Sequence, residues 1–243
     1  EYRGRPSMPT LPPERRRRSF DEVNVGLRDD DVIREAERCL NCGGCSACGE
    51  CSKACQPKAV DYEMKEERVE RKVGAIIVAT GFTQFDLRTY GEYGGGRFKD
   101  VITGLHLERM LDTTGPTEGH VIRPSNGQEA KHIVFIQCVG SRDESKGVPY
   151  CSRVCCMASM KQAHLAKEKT GAEIHEFYID INAFGKGYQE FYKRIREEGV
   201  YFIRGKGSEI FKRDGRLVVA AEDTMLGTPV EIPADMVVLG TGL

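Results

Sequence analysis

No stretch of this 243-residue chain approaches the ~18 consecutive apolar residues that mark a membrane-spanning helix, and no signal-peptide pattern opens it. The chain therefore reads as soluble, with no insertion into a membrane. Neither sign of charge is in excess: 36 Lys and Arg balance 37 Asp and Glu. That balance argues against nucleic acid as a partner. The five histidines fall into no H-E-x-x-H or comparable ligand pattern. Cysteine is too sparse for a disulfide scaffold, since ten in 243 residues is ~4% against the ~8–10% of such proteins. The ten are nevertheless packed into two tight groups, which points to metal binding in a reducing compartment, the cytoplasm. The sequence starts at Glu1 rather than Met and stops at Gly240-Thr-Gly-Leu243 directly after an apolar strand. This is the pattern expected of a piece cut from a longer polypeptide.

The most informative absence lies in residues 132–180. His132-Ile-Val-Phe-Ile-Gln-Cys138 is a buried strand by its apolar run. A helical stretch reaches about Lys169, Gly171 supplies the stop, and a second strand runs to Asp180. In a dinucleotide-binding unit the turn after the first strand carries G-x-G-x-x-G, so that backbone amides can approach a pyrophosphate. Here the glycines are missing and Cys138, Cys151, Cys155 and Cys156 stand in their place. The domain is accordingly not expected to bind a nicotinamide dinucleotide. With the helix read as starting near Ser152, four thiolates converge at its N-terminus, where unpaired amides and the helix dipole favour an anionic ligand set. A thiolate-bound iron–sulfur cluster is such an anion, and we expect the 139–150 loop to depend on it for order. Two plainer readings stand beside it. Zinc sites prefer paired C-x2-C arms, which adjacent Cys155 and Cys156 fit poorly, and cysteine is also a common core residue.

The second group is Cys39-x2-Cys42-x2-Cys45-x2-Cys48-x2-Cys51-x3-Cys55. Its last four members follow the C-x2-C-x2-C-x3-C spacing of bacterial ferredoxins, in which close thiolates wrap a [4Fe–4S] cubane. A zinc ribbon would need a long spacer that is absent. Six thiolates are too few for two fully ligated clusters. Cys39 and Cys42 are therefore spare ligands or alternatives to Cys55.

Around these groups the chain divides into an arm or linker at 1–20, a ferredoxin-like cluster segment at 21–62, a remnant of a flavin domain with its connector at 63–130, and an α/β domain at 131–243. The arm holds four prolines and Arg15-Arg-Arg-Arg18, a solvated basic run. Asp29-Asp30-Asp31 open a helix whose apolar face is Val32, Ile33, Ala36 and Leu40. Residues 60–64 and 68–73 alternate as a hairpin, and Gly74-Ala-Ile-Ile-Val-Ala-Thr-Gly81 reads as a buried strand. Its Ala79-Thr80-Gly81 ending is typical of the place where a two-dinucleotide-domain flavoprotein passes its flavin nucleotide. Residues 82–100 are loop, Leu105–Leu111 a short helix, and 113–130 a connector. After Asp180, taken as structural, Tyr188, Phe191, Tyr192 and Ile195 form the core face of a helix stopped by Gly199. A strand at 200–203, a meander at 208–212, 217–221 and 230–232, and a last strand at 236–239 complete the pattern. Strand–helix–strand–helix–strand, meander and final strand is the layout of the nicotinamide domain in disulfide-reductase-type flavoproteins.

Cys138-Val-Gly-Ser-Arg-Asp143, Tyr150-Cys-Ser-Arg-Val-Cys-Cys-Met157, Phe184-Gly-Lys-Gly-Tyr188 and Glu190-Phe-Tyr192 closely resemble the A-type iron–sulfur flavoproteins of heterodisulfide reductase, from roughly Cys45 to Leu243. Upstream, Arg5-Pro-x-Met8, Ser19-Phe-Asp-Glu-Val23 and Glu37-Arg-Cys-Leu-Asn-Cys-Gly43 are similar to modules of the glutamate synthase small subunit. The resemblance implies an α/β iron–sulfur flavoprotein with a thioredoxin-reductase-like core: a parallel sheet, a three-stranded antiparallel meander and a ferredoxin-like Cys-rich segment. It also implies one [4Fe–4S] cluster on Cys138, Cys151, Cys155 and Cys156, and another in the tract ending at Cys55. The partners it implies are other redox subunits and a ferredoxin or hydrogenase-type donor. FAD is expected only in the full-length protein, because the N-terminal G-x-G-x-x-G flavin strand is absent. Asn182 stands where the family pattern leads us to expect Arg. No residue here is a convincing general acid, base or nucleophile, so the chain alone is expected to be catalytically inactive. The competing readings are a NAD(P)H-dependent flavoprotein reductase, supported only by Leu239-Gly-Thr-Gly242, and a zinc-stabilised or metal-free docking module.

Overall fold

The computed structural model describes residues 4–37, 52–53 and 55–242. They belong to two compact units, residues 1–59 and 60–243.

In the first unit, helix α1 (Pro13–Arg16) is one turn with proline at its start, where the missing N–H has no intrahelical partner to lose. The Leu11 N–H donates to the Val23 carbonyl at 2.9 Å, and Thr10 bridges Asn24 in antiparallel fashion. Helix α2 (Asp29–Glu37) places its three aspartates at the positive end of the helix dipole, as anticipated. Its apolar face departs from expectation. Val32 and Ile33 are exposed, and the buried side chain is Asp31, gripped by Arg28 and Arg34. Leu11 is the one buried hydrophobic residue among those described in this unit, so there is little apolar surface for α2 to cover. Leu40 and the cysteines from Cys39 to Cys51 lie outside the described residues.

In the second unit, residues 60–81 overturn two expectations. Neither the hairpin at 60–73 nor the strand at 74–81 forms. The segment is exposed, Ile77 to 93%. A strand needs neighbours for its N–H and C=O groups, and a buried one needs cover on both faces. Among the described residues nothing pairs with this stretch.

The rest of the unit is α/β. Strands β1 (Val101–Thr103), β2 (His132–Val139), β3 (Glu173–Tyr178), β4 (Val200–Arg204) and β8 (Met236–Thr241) form one parallel sheet in the order β1-β8-β2-β3-β4. Helix α3 (Gly104–Leu111) follows β1, α4 (Cys155–Thr170) joins β2 to β3, and α5 (Tyr188–Glu197) joins β3 to β4. Ile133 to Val139 are all buried, the signature of a strand covered on both faces. One core lies on the helix side, with Ile133, Phe135, Ile174 and Val238 facing Ala163 and Ile195. The other lies between the opposite face (Val134, Ile136, Phe177, Leu239) and an antiparallel meander of β5 (Gly207–Arg213), β6 (Arg216–Asp223) and β7 (Thr228–Ala234).

The punctuation follows local chemistry. Gly171 ends α4 with φ +65°, its N–H on the Lys167 carbonyl at 2.8 Å, and Asp214-Gly215 turns the β5–β6 hairpin with both residues at positive φ. Two differences from the sequence reading remain. β1 is too short to announce itself, and α5 is less buried than its periodicity promises: Ile195 is fully covered, Phe191 and Tyr192 are half-buried, and Tyr188 is exposed.

Candidate metal centre

The centre forms at the C-terminal end of β2, against the mouth of α4. Its first member is set by a break in the strand. β2 pairs with β8 in register through Ile136, then shifts before Val139. Cys138 sits in that bulge at φ +60°, a conformation that side chains other than those of Gly and Asn rarely adopt. In an unbroken strand Cys138 would share the face of Val134 and Ile136. Here it comes within electrostatic reach of Cys151 and Cys156 instead. Arg142 and Arg153 also hold positive φ, at +56° and +66°. Three non-glycine residues in the left-handed region, at about 1 kcal/mol or more each, concentrate strain around one site.

Helix α4 begins at Cys155, three residues later than the sequence reading places it, because left-handed Arg153 is incompatible with a helical turn at 152–154. Cys151 therefore lies in the loop. Its Sγ accepts hydrogen bonds from the Arg153 N–H at 3.3 Å and from Asn182 Nδ2 at 3.1 Å. Cys155 and Cys156 are buried side by side at the helix start. The interaction between their sulfurs is the main reason the Cys155 thiol is lowered from its ordinary value and the Cys156 thiol raised. Cys156 Sγ also lies 3.7 Å from the Asp180 carbonyl oxygen. Cys138 is pushed up to about 11, first by burial and then by the neighbouring Cys156 sulfur.

The structure thus brings Cys138, Cys151, Cys155 and Cys156 within electrostatic reach of one another. Among the described residues, no group of three or more Cys, His, Asp or Glu side chains stands in metal-holding geometry. The donor chemistry nonetheless fits a thiolate-bound cluster. Four thiols lie near the start of α4 and within electrostatic reach of one another, and one of them, Cys151, already receives two N–H donors of the kind that neutralise added negative charge.

The 139–150 loop corrects another expectation, because it carries its own anchors. The Val148 N–H reaches the Gly140 carbonyl at 3.0 Å, and the Arg142 N–H reaches that of Tyr150 at 3.0 Å. The Tyr90 hydroxyl donates to Asp143, Lys146 pairs with Glu92 at 2.9 Å, and Arg142 pairs with Asp180 at 2.8 Å. The Tyr90 bond is the largest cause holding the Asp143 carboxyl below the usual range. Asp180 is structural, as read, through Arg142. Asn182 donates to Cys151 Sγ and so helps to fix that sulfur, and nothing in its sequence surroundings signals the contact.

The other candidates are placed as follows. Cys55 is half-buried and accepts the Ala59 N–H at 3.3 Å. Cys39, Cys42, Cys45, Cys48 and Cys51 lie outside the described residues. Ala79, Thr80 and Gly81 sit in the exposed stretch before Gln84, whose Nε2 donates to Thr241 Oγ1 at 3.0 Å. Among the described residues no helix is long and apolar enough to cross a membrane.

Comparison with known proteins bears on this arrangement. The chain is 52% identical over 212 residues to the A-type component of the H(2):CoB-CoM heterodisulfide,ferredoxin reductase of Methanothermobacter thermautotrophicus, covering 86% of the chain and 31% of that protein. The chain is a homologue of the A-type component of heterodisulfide reductase, over about a third of that component's length. The first of the A-type iron-sulfur components of the CoB--CoM heterodisulfide reductase of Methanopyrus kandleri is 52% identical over 194 residues, covering 77% of the chain and 29% of that protein. The A-type component of the Ferredoxin/F(420)H(2)-dependent CoB-CoM heterodisulfide reductase of Methanosarcina acetivorans is 51% identical over 215 residues, covering 87% and 26%. No family model matches the chain. Among solved structures, T. acidophilum thioredoxin reductase aligns at 16% identity and a TM-score of 0.38, over 66% of this chain and 41% of that one.

Proposed function

We propose that this chain is the electron-transfer part of a heterodisulfide-reductase-A-type iron–sulfur flavoprotein. In this reading Cys138, Cys151, Cys155 and Cys156 hold one [4Fe–4S] cluster, and the tract from Cys39 to Cys55 holds another. The observation that supports it is the gathering of four thiols at the mouth of α4, where a nucleotide-binding domain would open its phosphate loop. A bound cluster supplies one-electron storage. The chain's own residues do the rest. The four sulfurs hold the group, Asn182 and the Arg153 N–H fix Cys151 and stabilise added charge, and burial of Cys138, Cys155 and Cys156 keeps water away.

The domain division follows from that reading: linker to 20, cluster segment to 62, flavin-domain remnant to 130, cluster-bearing α/β domain to 243. FAD belongs to the longer polypeptide, with Ala79, Thr80 and Gly81 passing beside it. The partners are the other redox subunits and a ferredoxin or hydrogenase-type donor, in the cytoplasm. The names of the relatives carry hydrogen, ferredoxin and the CoB-CoM heterodisulfide, and these are the reactants we assign to the complete complex.

Anaerobic reconstitution with iron and sulfide tests the reading. Two clusters should give about eight irons per chain and the charge-transfer absorbance of thiolate-bound iron–sulfur centres. Cys138→Ala should remove about four, and Cys48→Ala or Cys51→Ala a different four. Zinc binding without iron uptake, or iron unchanged in these variants, overturns it.

A further inference from the structure

Phe184-Gly-Lys-Gly-Tyr188 takes no part in holding the sulfurs. It lies on the loop between β3 and α5, beside the loop that leads into α4. The two loops leave four large apolar side chains in solvent: Tyr150 (60% exposed), Val154 (47%), Phe184 (64%) and Tyr188 (42%). Both loops are tied to one sulfur. Asn182 Nδ2 and the Arg153 N–H donate to Cys151 Sγ at 3.1 and 3.3 Å, and the Arg153 guanidinium lies over the Phe184 ring at 5.1 Å. Aromatic rings set out in water beside a sulfur site, with an arginine stacked on one of them, are the residue types of an interface centre rather than of a free surface.

The charge of this face is one-sided. Asp180 stands at the end of β3 and is already matched by Arg142 at 2.8 Å and by Arg204 at 3.9 Å. Arg153 and Lys186 are exposed cations, and the next acid along the chain is Glu190, in the first turn of α5. Four cations, Arg142, Arg153, Lys186 and Arg204, thus stand against two acids. Such a face attracts a negatively charged partner and speeds its approach. The centre behind it sets the kind of partner. Cys138, Cys155 and Cys156 are buried, whereas Cys151 is half-buried and is the sulfur that both loops touch. An electron arriving from another protein meets the centre first at Cys151.

We infer that the loops 150–154 and 182–188 form the docking face for an acidic one-electron carrier protein, with Cys151 as the point of entry to the centre. Arg153 and Lys186 steer the carrier, and Tyr150, Phe184 and Tyr188 seat it. In the transfer the reduced carrier loses one electron and the four-cysteine centre gains it. No covalent bond forms or breaks, and no proton moves. Transient redox encounters bury little surface, below about 1,200 Å², which suits a face built from two short loops. The electron step rests on the cluster assignment above, whereas the docking stands on the loops alone.

The test uses the whole chain with an acidic [2Fe–2S] ferredoxin as the probe. Binding of the oxidised ferredoxin is read by isothermal titration calorimetry, on the metal-free chain and on the chain reconstituted with iron and sulfide. The dissociation constant should rise roughly tenfold between ~20 and ~200 mM salt. Lys186→Glu should weaken binding roughly tenfold at low salt and flatten that dependence, and Phe184→Ala should weaken it about fivefold with the dependence kept. Lys212→Glu, which reverses an exposed cation on the meander, should bind as wild type. Binding that ignores salt, wild-type affinity in Lys186→Glu and Phe184→Ala, or equal affinity for a basic carrier such as a cytochrome c, overturns the inference.

Stopped-flow reduction of the reconstituted chain, its iron first counted, keeps docking and cluster apart. Reduced ferredoxin should deliver its electron more slowly to Lys186→Glu and Phe184→Ala, while dithionite should reduce wild type and both variants alike. A chain that binds ferredoxin with the expected salt dependence but takes up no iron at 138–156 refutes the cluster reading and supports the docking face. Hydroxyl-radical footprinting of the longer polypeptide checks for another occupant. Tyr150, Phe184 and Tyr188 should be oxidised there as readily as in this chain. Their protection without a carrier would mean that the rest of the polypeptide covers the face, and overturns the inference.

Discussion

Gly140 is the residue on which the loop of the centre turns, and Gly140→Ala is a sharp test of how that loop is held. Gly140 has φ +82°, so an L side chain there pays about 1–2 kcal/mol for its backbone alone. The added methyl also meets an obstacle, since a Cβ at this position would stand 2.1 Å from Phe85 Cγ and 2.4 Å from Cδ2. The ring cannot simply swing aside. It packs on Tyr90 at 5.2 Å between centroids, and Tyr90 stacks on Tyr93 at 5.4 Å. Forcing a methyl into such a stack costs a further 1–3 kcal/mol or so. Gly140→Ala should therefore destabilise the chain by about 2–5 kcal/mol in guanidinium unfolding under reducing conditions. The decisive measurement is the double variant with Phe85→Ala. If the clash is the larger part, removing the ring should recover it, and the two costs should fall short of additivity by about 1–3 kcal/mol. Additive costs, within about 0.5 kcal/mol, would refute the reasoning and leave backbone conformation as the whole effect.

Other outcomes follow from the same geometry. Asn182→Ala removes a donor from Cys151 Sγ and should lower the reduction potential of the reconstituted centre, with iron content unchanged, as read by redox titration. Glu176→Gln should change the pH dependence of folding. A carboxyl raised to about 8 in the fold, against ~4.3 unfolded, favours the fold below the unfolded value and loses that advantage as pH rises toward 8. The variant should therefore gain on wild type by something of order 3–5 kcal/mol between pH ~5 and ~8, measured by urea unfolding. Tyr90→Phe acts in the opposite direction on acid stability. The Tyr90 bond holds Asp143 below the usual range, so its stabilisation is present above the unfolded value and lost as pH falls through the folded one. The variant should be less stable at neutral pH and show a shallower acid limb. Titration of this chain with NADH should give no micromolar binding, since no glycine fingerprint follows β2.

The sheet and the meander were legible in the sequence because their signals are local. An apolar run marked β2, glycine marked the end of α4, and Asp214-Gly215 marked a hairpin. The exposed segment at 60–81 was not legible, because its alternation and apolar run report what a strand would bury and say nothing about whether a neighbour exists to pair with it. Within the centre, the four cysteines could be named from spacing, but not the means that assemble them. The bulge that turns Cys138, the left-handed turn at Arg153 that delays α4, and the reach of Asn182 to Cys151 all depend on backbone conformations and tertiary approach that residue types do not encode. Glu176 is the clearest omission. A lone acid in an alternating strand reads as solvent-facing, and only the position of α4 over β3 shows that this one is sealed.

The strand order has a consequence for how the chain comes to be folded. β8, last in sequence, lies between β1 and β2 and pairs Val101 with Val237 and Val134 with that same residue. Until it is inserted, β1 has no partner and β2 presents an open, largely apolar edge. Two of the sheet's four strand pairings therefore wait on contacts between distant parts of the chain, the kind that slow folding and leave aggregation-prone edges exposed in the meantime. During synthesis the β2–β3–β4 half can assemble early, while β1 and α3 must wait for β8 to emerge.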